Sequence, residues 1–113
     1  MLGYVKSPDG TEQWLQGTVA NIGPISIAIV VVKSFMYYSS GVYYDADCTF
    51  SSVNYLGDHF ITVVGYGTDA TAGDYWIARN SWGSSWGESG YIRMARNRNK
   101  LCDLASYAIY PTI

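Results

Sequence analysis

The sequence is short of charge, of histidine and of cysteine, and each shortage narrows what it can do. Charged residues make up 14% of its 113 positions, well below the ~25% usual for soluble globular proteins. So little charge covers a full surface poorly, which suits a piece that packs against more protein, although tyrosine-rich secreted domains share the trait. No basic block or stripe occurs and the net charge is −2, which argues against a nucleic-acid partner. No apolar stretch approaches the ~20 residues that cross a bilayer. The longest, Ile25 to Val32, already contains Ser26, so no membrane segment is expected. The opening Met1-Leu2-Gly3-Tyr4-Val5-Lys6 lacks the apolar core and small-residue cleavage site of a signal peptide. Any targeting segment is therefore expected upstream of it. No Asn-X-Ser/Thr triplet is present, so N-glycosylation is not expected.

One histidine and two cysteines, with no zinc-type spacing, give no basis for a metal site. No cofactor is expected either. Cys48 and Cys102 leave two readings open. They form one disulfide closing a long loop, which implies an oxidising compartment, or they are two buried free thiols. The polar flanks, Asp45-Ala46-Asp47 and Asn99-Lys100, favour the disulfide.

What the chain has in quantity is apolar and aromatic: 49% hydrophobic residues, eleven tyrosines and four tryptophans. At this length it is one domain at most, or half of a larger one. Ser7-Pro8-Asp9-Gly10 marks a turn. Asp9 or Thr11 then caps a short helix with Trp14, Leu15, Thr18, Val19 and Ile22 on one face, ended by Gly23 and Pro24. Residues 25–32 read as a buried strand. A helical turn at Phe35–Tyr38, a short strand at Val42–Tyr44 and a polar loop from Asp45 to Gly57 follow. Further strands are predicted at His59–Tyr66, Tyr75–Asn80, Tyr91–Met94 and Ala105–Tyr110, the last ending before Pro111. One helix and several short strands with turn signals predict an α+β domain built on a mostly antiparallel barrel or curled sheet.

The chemistry gathers at two strand ends. Asp58-His59-Phe60 heads one alternating run, and Asn80-Ser81-Trp82-Gly83 closes another. Alone, His59 would read as a hydrogen-bonded core residue and Asn80 as a turn residue. Their setting decides. Gly23-Pro24-Ile25-Ser26, Asp58-His59, Val64-Gly65-Tyr66-Gly67, Asn80-Ser81-Trp82-Gly83-Ser84-Ser85-Trp86-Gly87, Gly90-Tyr91 and Tyr110-Pro111 occur in order. Together they resemble the C-terminal half of a papain-like cysteine protease, nearest to the cathepsin L group.

The resemblance covers essentially the whole chain and implies a papain-like fold. Residues 1–113 would form the right lobe of two, with the active site in the cleft between them. His59 and Asn80 would be catalytic, and Trp82 would shield their hydrogen bond. Ala28, Gly57, Asp58, Trp82 and Tyr107 would contact substrate. Tyr107 stands where relatives often carry a small residue, so the pocket for the second residue before the scissile bond is expected to be shortened. Cys48 and Cys102 match a right-lobe disulfide, which excludes either as nucleophile. The nucleophilic cysteine and the oxyanion glutamine belong to the N-terminal lobe, and no Cys-Gly-Ser-Cys-Trp type segment is present.

That lobe, in the same chain or a separate one, is thus the expected partner. Peptide or protein substrates and a propeptide or cystatin-like inhibitor are expected as well, in a lysosomal or secreted setting. A catalytically dead peptide-binding or inhibitory relative is the alternative. Phe60, where the family carries Ala or Gly, is expected to face away from His59 and repack the barrel. Asp103, where Gly is usual, leaves the backbone of its loop open.

Overall fold

In a computed structural model, residues 3–112 can be described. Met1, Leu2 and Ile113, which the domain assignment includes, lie outside the described residues.

The helix forms where its cap is built. Thr11 Oγ1 accepts from the Trp14 N–H at 3.1 Å, and Asp9 accepts from both the Thr11 N–H and its hydroxyl. Helix α1 then runs Glu12–Asn21 and stops at Gly23, whose φ is 121°, before Pro24. Leu15 and Val19 enter the core as predicted, but Ile22 is 56% exposed. Glu12 is buried in its place. Its Oε1 accepts from Trp76 Nε1–H at 2.8 Å and from the Asn97 N–H at 3.0 Å. A carboxylate buried with two donors is tolerated, which hydrophobic patterning does not register.

Seven strands form one sheet in the order β1-β7-β2-β4-β5-β6-β3. They are β1 (Gly3–Lys6), β2 (Ile25–Val32), β3 (Val42–Tyr43), β4 (Tyr55–Asp69), β5 (Gly73–Arg79), β6 (Tyr91–Ala95) and β7 (Tyr107–Thr112). A four-residue helix α2, Lys33–Met36, follows β2. Among the described residues β1 and β3 remain edges, so the sheet is curled but not closed into a barrel. Every pairing is antiparallel except β3 with β6.

The strand β2 is the centre of the fold. It pairs with β4 from Ile25↔Val63 to Val32↔Tyr55 and with β7 at Ser26↔Ile109 to Ala28↔Tyr107. Ile25, Ile27 and Ile29 meet Ile61, Val63, Ala78, Ile92, Met94 and Leu15 in the core. Alternation sends Phe60, Thr62, Arg79 and Tyr91 to the other face.

Pro111 lies inside β7, paired with Tyr4, where a strand end was predicted. Only β1 neighbours the strand there, because the pairing of β7 with β2 stops at Ile109; a missing N–H costs least at such a place.

Cys48 and Cys102 are bonded, with Cα atoms 4.7 Å apart and a sequence separation of 54. The bond ties the loop before β4, which ends at residue 54 and not at the predicted Gly57, to a turn running through Asn97, Asn99, Lys100, Cys102, Asp103 and Ala105, all at positive φ. Asp103 takes the left-handed conformation that a glycine would adopt at no steric cost.

Candidate active site

His59 sits on β4 and Asn80 immediately follows β5. These strands run antiparallel with the register Thr62↔Arg79, so Asn80, just past the end of β5, comes beside the stretch of β4 that bears His59. Both side chains point to the core side of the sheet. Asn80 is buried, at 5% exposure, and His59 is half-buried.

Asn80 Oδ1 lies 2.8 Å from His59 Nε2. The Ser81 N–H also donates to Oδ1 at 2.8 Å. A backbone N–H requires an acceptor, so this contact fixes which end of the amide is the oxygen. Nε2 therefore carries a hydrogen and donates to Oδ1, and the ring's chemistry toward another group is left to Nδ1.

Trp82 stacks on the imidazole with centroids 5.0 Å apart and planes at 23°. It is in turn held edge-on by Phe35 at 5.5 Å and Trp86 at 5.3 Å. Tyr38 and Tyr43 extend the cluster. An indole face favours a positive ring lying over it and keeps water from the bond beside it.

The imidazole is reachable. It lines a concavity of about 180 Å³ with Val31, Met36, Leu56, Gly57, Asp58 and Trp82. A second concavity, also about 180 Å³, lies across Asp58 and is lined by Ala28, Ile29, Val30, Asp103, Ser106 and Tyr107. Gly57, grouped with Ala28 and Tyr107 from the sequence, thus borders the other hollow, while Asp58 borders both.

Tyr107 is 36% exposed and does not enter the core. Its ring meets Phe60 edge-on at 6.0 Å, and the Lys6 ammonium lies 4.9 Å from its centroid. Phe60 corrects an expectation. It faces away from His59, as alternation requires, but it is 55% exposed on the outer face and repacks nothing inside. The register explains the pair: Phe60, Ala28 and Tyr107 stand side by side across β4, β2 and β7, so two rings meet above an alanine.

The turn that follows Asn80 is clamped by one ion pair. Arg93 Nε and Nη2 donate to the two oxygens of Glu88 at 2.9 and 2.8 Å. The Gly41 N–H adds a third contact at 3.1 Å. The guanidinium hydrogen bonds bring the Glu88 pKa down from 4.5 to about 2. Asn80 N–H donates to Gly90 O at 2.9 Å across the base of the same turn.

Among the described residues no group of three or more His, Cys, Asp or Glu is placed to hold a metal, and no helix is long and apolar enough to cross a membrane.

Comparison with known proteins follows the same outline. The family model described as papain family cysteine protease matches residues 1–112. A cathepsin L-like protein of Caenorhabditis elegans is 53% identical over 112 residues, covering 98% of this chain and 32% of the relative. The structure of digestive procathepsin L 3 from Tenebrio molitor larval midgut superposes with a TM-score of 0.86 at 44% identity, covering 98% of this chain and 35% of that one. Bromelain from Ananas comosus, solved in complex with the E64 inhibitor, gives 0.85 at 38% identity, covering 98% and 50%. The chain spans about a third of the length of the curated relatives it matches.

Proposed function

Because the chain belongs to the papain family of cysteine proteases, we propose that it is the right lobe of a cysteine endopeptidase, giving His59 and Asn80 to a nucleophile that lies outside these residues. The observation that carries this is the 2.8 Å contact from His59 Nε2 to Asn80 Oδ1, with the ring open to a hollow on its other side. The two cysteines present are joined to each other and cannot attack a carbonyl.

The chemistry follows from the pair. A free thiol titrates near 8.5, and an adjacent imidazolium stabilises its thiolate. The sulfur attacks the peptide carbonyl. The proton on His59 then passes to the departing amine, leaving a thioester. His59 next takes a proton from water as it attacks that thioester, and the acid product and free thiol are restored. Asn80, being neutral, holds the ring without drawing its proton away. Trp82 keeps water from the Asn80–His59 bond.

Tyr107 beside Ala28 narrows the hollow proposed for the second residue before the scissile bond. Valine or leucine is therefore preferred to phenylalanine there, and a peptide series assayed with the full-length enzyme checks it; equal kcat/KM for Phe and Val contradicts it. The disulfide favours an oxidising setting, lysosomal or secreted. A propeptide is a proposed partner, the Tenebrio relatives being solved as procathepsins.

Labelling with a thiol-directed epoxide tests the reading. The full-length protein takes one label, on a cysteine outside residues 1–113, and His59→Ala slows the labelling at least tenfold. Absence of label on a folded full-length protein indicates a relative without its nucleophile and overturns the protease reading.

A further inference from the structure

Among the described residues there are two methionines, and they stand in opposite settings. Met94 on β6 is 1% exposed, packed in the core. Met36, the last residue of α2, is 49% exposed and lines the hollow beside His59 with Val31, Leu56 and Trp82. Solvent reaches one thioether and not the other.

Met36 is also held where it stands. At the start of α2 the Lys33 N–H donates to Asn54 O at 3.2 Å, and the Ser34 hydroxyl donates to Asp45 Oδ2 at 2.6 Å. At its end Trp86 Nε1–H donates to Met36 O at 3.2 Å. Trp86 packs edge-on against Trp82, which stacks on His59. The short helix is therefore fastened at both ends to the elements that frame the imidazole.

The hollow has a definite place in the proposed reaction, and the inference rests on that reading. Two hollows flank Asp58. The one at Ala28 and Tyr107 is assigned to the acyl side of the substrate. The other opens beside His59, which protonates the departing amine, so it receives the first residue of that amine. Its walls of Val31, Met36, Leu56 and Trp82 are apolar and suit an apolar side chain.

We propose that Met36 is a reversible oxidation site that changes which residue is accepted after the scissile bond. The oxidant is hydrogen peroxide. A lone pair of the Met36 sulfur takes one peroxide oxygen, the O–O bond breaks, and the other oxygen leaves as water. The sulfur is oxidised by two electrons and the peroxide reduced by two. A methionine sulfoxide reductase, supplied with a thiol reductant, removes the oxygen again as water. The sulfoxide sets a polar acceptor on an apolar wall. An apolar side chain seated against it strips that oxygen of water and returns no hydrogen bond. A hydroxyl side chain donates to it instead. Oxidation thus weakens substrates with Leu at this position and spares those with Ser.

The test uses the full-length protein. Its nucleophilic cysteine is capped as a methyl disulfide during hydrogen peroxide treatment and freed afterwards by brief exposure to thiol. Peptide mass spectrometry finds sulfoxide at Met36 about tenfold faster than at Met94. The treated enzyme loses kcat/KM several-fold on a peptide with Leu after the scissile bond, mainly through KM, and keeps it on the matching Ser peptide. Reductase treatment restores the Leu peptide. Met36→Leu, compared with its own untreated rate, shows no such loss. Sulfoxide forming no faster at Met36 than at Met94, the two peptides affected alike, or the same loss in Met36→Leu overturns the proposal. An untreated protein that hydrolyses neither peptide removes the protease reading instead, and the order of oxidation, which needs no turnover, still decides the site.

Discussion

Asn80 Oδ1 accepts two hydrogen bonds, from Ser81 N–H and from His59 Nε2–H, each at 2.8 Å. The first fixes the amide and the second then fixes the imidazole tautomer. Replacing Asn80 by Ala removes the second and leaves the ring free to rotate. In the full-length enzyme Asn80→Ala should lower kcat/KM about 10- to 100-fold, the usual cost of losing an orienting partner, with the fall mainly in kcat. An unchanged kcat contradicts the orienting role.

The meeting of His59 with Asn80 and Trp82 was legible in the sequence because the Asp58-His59 and Asn80-Ser81-Trp82-Gly83 motifs are short and sit on neighbouring strands. The Ser81 N–H contact was not. It depends on backbone direction in a turn, and residue type does not report it. Phe60 could be sent away from His59 by alternation alone. That it would meet Tyr107 required the register across β2.

At the scale of the elements, the turn between β5 and β6 is held to β6 and to Gly41 by Glu88. The Arg93 contact depresses the Glu88 pKa from 4.5 to about 2. Its stabilisation is therefore complete above the unfolded value near 4.5 and is lost as pH falls through about 2. The pair is about 30% exposed, so solvent screening limits it to roughly 1 kcal/mol. Urea unfolding of the full-length Glu88→Gln variant should show that deficit at pH 7 and a shrinking one between pH 4.5 and 2. A deficit independent of pH contradicts the ionic origin.

The disulfide closes a long loop, and in the chain-entropy account contributes ~4 kcal/mol. Strand β2 was predicted with its observed bounds, since Gly23-Pro24 and a β-branched run leave little choice. Strand β1 was not predicted, because Gly3–Lys6 becomes a strand only through pairing with β7. The same pairing carries β7 past Pro111. The short 3-10 turn at Leu101–Asp103 was missed too, because it lies in a run of positive-φ residues that residue type alone does not announce.

For the whole molecule, the low charge content and the outer sheet face tell one story. Phe60, Val64, Tyr91 and Tyr107 are each at least 36% exposed, and Arg79 stands among them without a described partner. The proposed function expects such a face to be covered. Expressed alone, the chain should associate or aggregate at micromolar concentration, as sedimentation would record. A monodisperse, stable monomer contradicts a covered face. The α+β class and the curled sheet were legible from strand spacing and turn residues. Closure was not, because it depends on whether β1 and β3 meet, and neither carries a sequence signal for a partner.

The central claim is that His59, held by Asn80, ionises a sulfur brought from outside these residues. The most direct measurement is the pH dependence of the alkylation rate of that cysteine in the full-length protein, wild type against His59→Ala. The account predicts reactive thiolate in the wild type well below the ordinary thiol range near 8.5, and in the variant a single ionisation back in that range. Superimposable profiles for the two proteins would contradict it.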